Sequence, residues 1–575
     1  MASISTETPR SGLAIVPANR AQYRVSNITI VASDHELSRV IALHLSQSRD
    51  LPECTIAPAD RLISSDLRPS GVVVFLPSLR NQGTVPDLGE ATKFLQAGAQ
   101  WPVDRFVLLS NAAVYEASYR NPGLVLESHP LPIDSSAVAA QWRKLEELAH
   151  RYCGNGERLT ILRCSTLMSV QSANPIANRF VRRAATTMAG YDPSLQLLNP
   201  VDLAEAIQCV LRDGVSGVFN VAPDTVIPLR EALKRSGTRR IPVPNTILRV
   251  AYAMRNKSTA DYLDYSRYSW TVSNQKIKAV GFRPKHSSAD ALAEFRRSLV
   301  GPKRDVANAE ADYFDVFGMD KKYIAAFGRT LFRFLADWYW RIETAGLEHI
   351  PQHGRAVLAG VHRGFMPWDG VMALHLIVSN TRRYPRFLIH PGLVKFPFLA
   401  NFMTKLGGIV ACQENAQRIL ESDELLGVFP EGIQGAFVRY SEAYQIHGFH
   451  RDAFVKMALR HRAPIIPFVT VGSAEIFPVL GKLKSRLWTK YSEWPAFPIT
   501  PTFPLIPVPL PSKWHTRFLP AMHIESDYPP SAAANASVVR AISREVRSRM
   551  QNAIDEMLQQ RRSIFFGSIF PSGAK

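Results

Sequence analysis

The chain has no stretch of about 18 uninterrupted apolar residues, so a membrane-spanning helix is not expected. It is poor in cysteine: the five are Cys54, Cys153, Cys164, Cys209 and Cys412, an odd number with no CxxC pair among them. A disulfide framework and a structural zinc site are therefore excluded from the reading, and a reducing compartment is expected. The first twenty residues lack the apolar core of a secretory signal. RNA-binding signatures, zinc-finger spacings and a basic helix-turn-helix are also missing, so no nucleic-acid partner is expected. Short-period repeats, the mark of solenoids and propellers, do not occur.

What is present is length, apolar mass and positive charge. At 575 residues the chain exceeds one compact core, and two or three domains are expected. Hydrophobic residues make up 46%, which fits folded domains rather than a mainly disordered chain. Lys and Arg number 68 against 49 Asp and Glu, a net charge of +19. Such an excess calls for an anionic partner, and with nucleic acid set aside an anionic membrane surface or a phosphate-bearing substrate remains.

The apolar pattern predicts an α/β protein. Residues 1–22 read as a mobile tail rich in Ser, Thr, Pro and Arg. Over 23–300, strand-like runs at Asn27–Ala32, Gly71–Leu76, Arg105–Ser110 and Leu159–Arg163 alternate with helical segments such as Glu36–Ser46 and Ala137–Tyr152. Strand-then-helix order of this kind predicts a doubly wound parallel sheet. Residues 301–345 form a charged linker followed by an aromatic amphipathic segment, Tyr323–Ile342, with Arg329, Arg333 and Arg341 among its rings. That segment fits a helix packed on its own domain, and also an interfacial helix with aromatics at headgroup depth. Over 346–575 a second α/β pattern follows, with strands at Ala356–Gly360, Arg386–His390, Leu425–Phe429 and Pro464–Val471. It closes on Val538–Gln560, where Val539, Ile542, Val546, Met550, Ala553 and Met557 recur on one helical face.

The N-terminal half resembles the extended short-chain dehydrogenase/epimerase family over Ser26–Arg297. The resemblance is carried by Arg105–Glu116 (RFVLLSNAAVYE), Leu159–Arg163, Pro200–Ile207 (PVDLAEAI), Gly217–Pro223 (GVFNVAP) and Gly281–Pro284 (GFRP). It implies a Rossmann-like fold. The family's chemistry needs a Gly-rich turn after the first strand, where backbone can approach a pyrophosphate. Val31–Ser38 contains no glycine, and Asp34 and Glu36 would set carboxylates beside the phosphates. The family's Tyr-x3-Lys segment aligns with Ala137–Ala149, putting Ala139 or Ala140 at the Tyr position as Arg143 or Lys144 takes the Lys position. Asn111 stands where the family has Ser or Thr. NAD(P) binding is not expected, and this half reads as a retained fold serving as scaffold, regulator or acceptor-binding module.

The C-terminal half resembles the glycerolipid (1-acylglycerol-phosphate type) acyltransferase superfamily, in the branch with a widened His…Asp motif. Four ordered segments carry this: Gly346–Gly370, Leu406–Leu420, Gly427–Gly435 and Ala463–Gly472. The resemblance implies His362 and Asp369 as the catalytic pair. An alcohol attacks a thioester only when a base takes its proton, and a histidine oriented by a carboxylate meets that need. Six residues separate the pair, too many for simple helical spacing, so a turn through Gly364 and Pro367 is expected to close the gap. Val361 stands where the family often has Asn.

Phe429, Pro430, Glu431 and Gly432 match the acceptor-side motif and are the expected substrate-binding residues. Glu431 reads either as a hydrogen-bond partner of an acceptor hydroxyl or as a helix cap. Phosphate-using relatives carry Arg two residues after this Gly and another in the preceding block. Here Gln434 takes the first place and Gly407–Asn415 has no Arg. Bidentate phosphate recognition wants guanidinium, so an acceptor without phosphate at that position is expected unless Arg386, Lys395, Arg418 or Arg439 substitutes. Pro464–Gly472 reads as a buried strand shaping the acyl tunnel.

The expected protein is an acyltransferase moving a fatty acyl group from acyl-CoA or acyl-carrier protein to a lipid-like alcohol, with no metal or redox cofactor. Its expected partners are that donor, that acceptor and an anionic membrane surface, with the chain peripheral on the cytoplasmic face. The rival readings are a non-catalytic lipid-binding scaffold and a bifunctional protein with a working N-terminal reductase or epimerase. Oligomeric state is not legible.

Overall fold

The computed structural model describes residues 25–33, 35–64, 68–80, 83–133, 135–154, 158–169, 174–255, 263–300, 314–449, 452–503 and 508–570. The 1–22 tail, Asp34 and the charged stretch expected as a boundary at 301–312 lie outside the described residues. The chain divides into two compact units, Met1–Asp312 and Tyr313–Lys575.

The first unit is a parallel sheet built from β-branched and apolar runs. Its strands are β1 (Ile28–Ala32), β2 (Cys54–Ala57), β3 (Gly71–Leu76), β4 (Val103–Asn111), β5 (Leu159–Cys164) and β6 (Gly217–Val221). They lie in the order β6-β5-β4-β3-β1-β2, every pair parallel. The order reverses between β1 and β3, the switch point of a doubly wound sheet. Helices α1 (His35–Ser46), α2 (Leu88–Gly98), α3 (Ala137–Cys153) and α4 (Pro200–Arg212) connect the strands. One core packs α1 and α4 on β1, β3 and β6 through Ile30, Val72, Val74, Leu37, Ile41, Leu203 and Ile207. This is the α/β, Rossmann-like architecture that strand–helix alternation predicts.

The second unit opens with α5 (Lys321–Phe327), which runs into two π-helical turns, Gly328–Phe332 and Leu335–Tyr339. Its sheet comprises β7 (Glu343–Ala345), β8 (Ala356–Gly360), β9 (Arg386–Ile389), β10 (Ile409–Val410), β11 (Leu425–Val428), β12 (Ile465–Val471) and β13 (His515–Phe518). The order is β7-β13-β12-β8-β11-β9-β10, with only β12 and β13 antiparallel. β8 carries no charge and is buried throughout, as a central parallel strand covered on both faces should be. Its side chains alternate between two cores. Val357 and Ala359 join one layer with α7 (Gln413–Glu421), α8 (Ala453–Arg460) and α9 (Ala536–Gln560). Ala356 and Leu358 join the other with α6 (Trp368–Thr381), Phe332, Leu335, Trp340 and Trp514.

The aromatic segment packs on its own unit with only part of its apolar side chains. Phe332, Leu335 and Trp340 are buried, with Trp340 stacked on Trp514 at 4.4 Å, whereas Leu331, Phe334 and Trp338 are exposed. The wider π turns shift successive rings around the axis relative to a regular helix, and so split what the sequence presents as one face. Among the described residues no helix is long and apolar enough to cross a membrane.

Candidate active site

β8 sits in the middle of its sheet and ends at Gly360, where a Cβ would come within 2.3 Å of the Phe468 ring and 2.8 Å of Phe429. Only glycine fits between those rings. The chain leaves the C-terminal strand edge through buried Val361 and presents His362 there, the end of a parallel strand at which ligands collect in such sheets. It then turns at Gly364, whose φ of +84° is a left-handed conformation, and enters α6 at Trp368 with Pro367 as its N-terminal flank.

This turn brings the two ends of the widened motif together. His362 Nδ1 lies 2.6 Å from Asp369 Oδ2. Asp369 is buried in the first turn of α6, where the helix dipole favours a carboxylate. Its oxygens also accept from the backbone N–H groups of Arg363 at 2.9 Å and Gly370 at 2.8 Å. With Nδ1 donating to this fixed acceptor, the lone pair of Nε2 is the one available for a substrate proton. The His362 ring is tilted against Phe429 at 5.0 Å and keeps 14% of its side-chain surface exposed.

Phe429, Pro430, Glu431 and Gly432 follow β11, the strand beside β8. Phe429 stacks on Phe387 at 5.7 Å and supports the His362 ring. Gly432, at φ +60°, precedes the short helix Ile433–Ala436 and is exposed. Glu431 has a part that neither of its sequence readings contains. It is buried, and both carboxylate oxygens accept from Arg363, Oε2 from Nη1 at 2.5 Å and Oε1 from Nη2 at 3.1 Å.

Arg363 is the residue that sequence reasoning passed over, counting it only as a spacer between His362 and Asp369. It is among the most deeply buried large side chains, and its guanidinium has five N–H donors, all in use. Besides the two to Glu431, Nη1 donates to the His362 carbonyl at 2.8 Å and Nη2 to that of Gln445 at 3.1 Å. Nε donates to the Ala443 carbonyl. One side chain thus ties the His362 loop, the Phe429–Gly432 loop and the 443–445 segment together. The available signal was an Arg beside the candidate base in a chain whose second motif offers an acid.

Of the cations considered as phosphate readers, two are committed elsewhere. Arg386 is buried at the start of β9, paired with Asp315 and Glu424. Lys395 pairs with Glu493 at 2.9 Å. Arg418 is half-buried on α7 and Arg439 is exposed. Among the described residues no group of three or more His, Cys, Asp or Glu side chains is placed to hold a metal ion.

In the first unit, the strand ends that would face a dinucleotide hold a buried polar network. Ser110 donates to Glu146 at 2.6 Å, and Arg163 forks onto Glu146 at 3.0 and 2.7 Å. Arg163 also donates to the Tyr115 hydroxyl at 2.8 Å, which donates to Asn220 at 2.8 Å. Burial pushes the Tyr115 phenol up to about 12, with Arg163 opposing. Asn111 accepts from the Ala113 N–H and so caps the turn Ala112–Tyr115. Ala139 is buried on α3 and Ala140 half-buried; neither has a proton to transfer.

Comparison with known proteins adds the following. The sequence pattern of the family described as Acyltransferase matches residues 341–471, a span containing His362, Asp369 and Phe429–Gly432. The uncharacterized protein Rv0502 of Mycobacterium tuberculosis is 37% identical over 260 residues, 44% of this chain and 72% of that protein. ML2427 of Mycobacterium leprae is 36% identical over 260 residues and 70% of its length. A human protein described as a DGAT1/2-independent enzyme synthesizing storage lipids is 29% identical over 168 residues, 29% of this chain and 51% of that one. Among solved structures, human epimerase family protein SDR39U1 with NADPH is 18% identical at a TM-score of 0.39, covering 48% of this chain and all of the other.

Proposed function

We propose, on the premise that this chain belongs to the family of the mycobacterial protein Rv0502 and carries an acyltransferase domain, that it moves a fatty acyl group from a thioester donor to the hydroxyl of a lipid-like alcohol. The observation that carries the reading is the His362–Asp369 contact at 2.6 Å on the C-terminal edge of β8, with the imidazole partly open to solvent. In the reaction Nε2 takes the acceptor's hydroxyl proton as the oxygen attacks the thioester carbonyl. The C–S bond then breaks, and the imidazolium returns its proton to the departing thiolate. Asp369 holds the ring in the tautomer this requires and stabilises its cationic form. The donor is acyl-CoA or acyl-carrier protein. The name of the human relative, which places it in storage-lipid synthesis, supports a lipid acceptor.

Gln434 replaces an Arg, and two of the four cations that could substitute, Arg386 and Lys395, are held in ion pairs, which supports an acceptor without phosphate next to its reacting hydroxyl. Purified protein assayed with glycerol 3-phosphate, lysophosphatidate and neutral alcohols of matched chain length should prefer the neutral ones; strong preference for the phosphorylated set would reverse this part. General-base help is worth about 10²- to 10⁴-fold, and His362→Ala should lower transfer by that order while leaving the thermal unfolding profile in place.

The first unit serves in this reading as a scaffold or acceptor-side module without redox chemistry. Residues after β1 offer no glycine turn, and Glu146 with Arg163 fills the strand ends. Titrating NADH or NADPH into the full-length protein should give no saturable fluorescence change, and adding either should leave acyl transfer unaltered. Saturable binding at micromolar concentration would restore the bifunctional reading.

A further inference from the structure

Between β12 and β13 the chain makes an excursion that the reaction does not use. Gly481–Leu483 and Phe497–Ile499 pair as an antiparallel hairpin, and a short helix, Arg486–Ser492, stands between them, capped by Ser485. The excursion has two chemically different sides. Inward, Trp488 packs on Trp494 at 5.6 Å and on Phe497 at 4.9 Å. Trp494 in turn meets Phe365 at 4.9 Å and Phe396 at 5.2 Å. Phe365 lies on the loop that carries His362, so this aromatic plug is a wall of that loop.

Outward, the pattern is apolar and basic together. Leu483, Leu487 and Tyr491 are 58%, 82% and 69% exposed, and Ile499 and Leu480 are exposed beside them. Phe398, 70% exposed, lies in the neighbouring segment that Lys395 joins to Tyr491 and Glu493. Interleaved are Lys482, Lys484, Arg486 and Lys490, all exposed, with no acidic residue between Gly481 and Ser492. Leu487 and Tyr491 sit one helical turn apart, as do Arg486 and Lys490, so large apolar groups and cations project from the same short element.

We propose that this excursion docks the second unit onto an anionic lipid bilayer, so that a membrane-borne substrate reaches His362 from the face the aromatic plug closes. Two features select a bilayer over a protein partner. Cores of protein interfaces are depleted in lysine, whereas this surface alternates Lys and Arg with Leu and Tyr residue by residue. Apolar side chains among cations match an interface in which acyl chains lie under anionic headgroups. The docking itself stands without the acyl-transfer reading; the delivery of substrate rests on it.

The test uses full-length protein and vesicles of phosphatidylcholine alone or mixed with phosphatidylserine. Wild type should co-sediment with the anionic vesicles and be released by salt. Each basic side chain near an anionic surface is worth roughly fivefold in partitioning, so K482Q/K484Q/R486Q/K490Q should lose a hundredfold or more. L483S/L487S/Y491S should lose binding to a similar degree. Because all seven side chains are exposed, both variants should keep the wild-type melting profile. A third variant, F334S/W338S, alters another exposed aromatic element. Wild-type-like binding by both excursion variants, or loss of binding in F334S/W338S alone, would overturn the assignment. So would a wild type that ignores anionic lipid, or a change of oligomeric state in L483S/L487S/Y491S, which would assign the face to a second copy of the chain. Transfer is read in parallel on vesicle-borne and on short-chain water-soluble substrates, and the ratio of the two should fall at least tenfold in the excursion variants. Absence of transfer by wild type from either source would remove the acyl-transfer reading and leave the sedimentation result standing.

Discussion

Arg363 and Glu431 form an ion pair with almost no access to water, and such pairs bring a desolvation penalty that only a full set of hydrogen bonds offsets. Here the set is full, since every guanidinium donor has an acceptor and three of those acceptors are backbone carbonyls, one of His362 and two on the 443–445 segment. The pair therefore acts as a positioning device: it fixes the carbonyl of His362 itself and sets the Phe429 loop beneath the imidazole. Breaking it by Glu431→Ala leaves a buried charge unpaired and should destabilise the protein by about 3–5 kcal/mol, measurable by denaturant unfolding. Replacing both members, as R363M/E431L, should recover part of that stability because no lone charge remains. It should not recover acyl transfer, because the His362 carbonyl and the 443–445 segment lose their donors. A double variant regaining full activity would reduce the pair to a stability role. This contact was not legible in the sequence for a simple reason: its members are 68 residues apart, and only the adjacency of β8 and β11 brings them together.

At the scale of elements much more could be read, because the signals are local. β8 is a short uncharged run and came out of the sequence with the same bounds; the face of α9 bearing Val539, Ile542, Val546, Met550, Ala553 and Met557 is buried as its spacing predicts. The widened His…Asp motif required a turn through Gly364 and Pro367, and the chain turns there. Gly364 is held by two independent demands. Its φ is left-handed, and a Cβ would stand 2.8 Å from the Ser473 carbonyl oxygen, a backbone atom that cannot swing aside. Gly364→Ala should thus cost roughly 1–3 kcal/mol and displace Asp369 from His362, lowering kcat more than it raises KM. A substitution that left both constants unchanged would show that the turn tolerates another path. The aromatic segment shows where local reading stops. Its residues suit a helix, but the turns at Gly328–Phe332 and Leu335–Tyr339 are π-helical, and no periodicity rule assigns Phe332 to the core and Trp338 to solvent.

Over the whole molecule, the +19 charge and three partly or fully buried histidines act in one direction when pH falls. Each carboxylate protonated on acidification adds to a positive charge already in excess, which loads the compact state with self-repulsion. His515 on β13 makes the larger specific contribution. It is fully buried, and burial pushes its pKa down from 6.5 to about 4, with Glu343 opposing and Lys513 and Arg561 adding to the shift. Between those values the unfolded chain takes up a proton that the folded chain refuses, so stability is whole above 6.5 and falls as pH drops toward 4. The shift corresponds to about 3 kcal/mol over that window. His375 and His461, also held low mainly by burial, act in the same sense. The two units can unfold separately, so the second must be followed by itself. Six of the nine tryptophans lie within it, and emission during urea unfolding reports mainly on that unit. Its midpoint should decline steadily from pH 6.5 to pH 4. His515→Gln, which keeps a polar side chain of similar reach and cannot titrate, should flatten the decline and leave the residue of it to His375, His461 and the net charge. An equally steep decline in that variant would place the acid sensitivity in the charge excess alone.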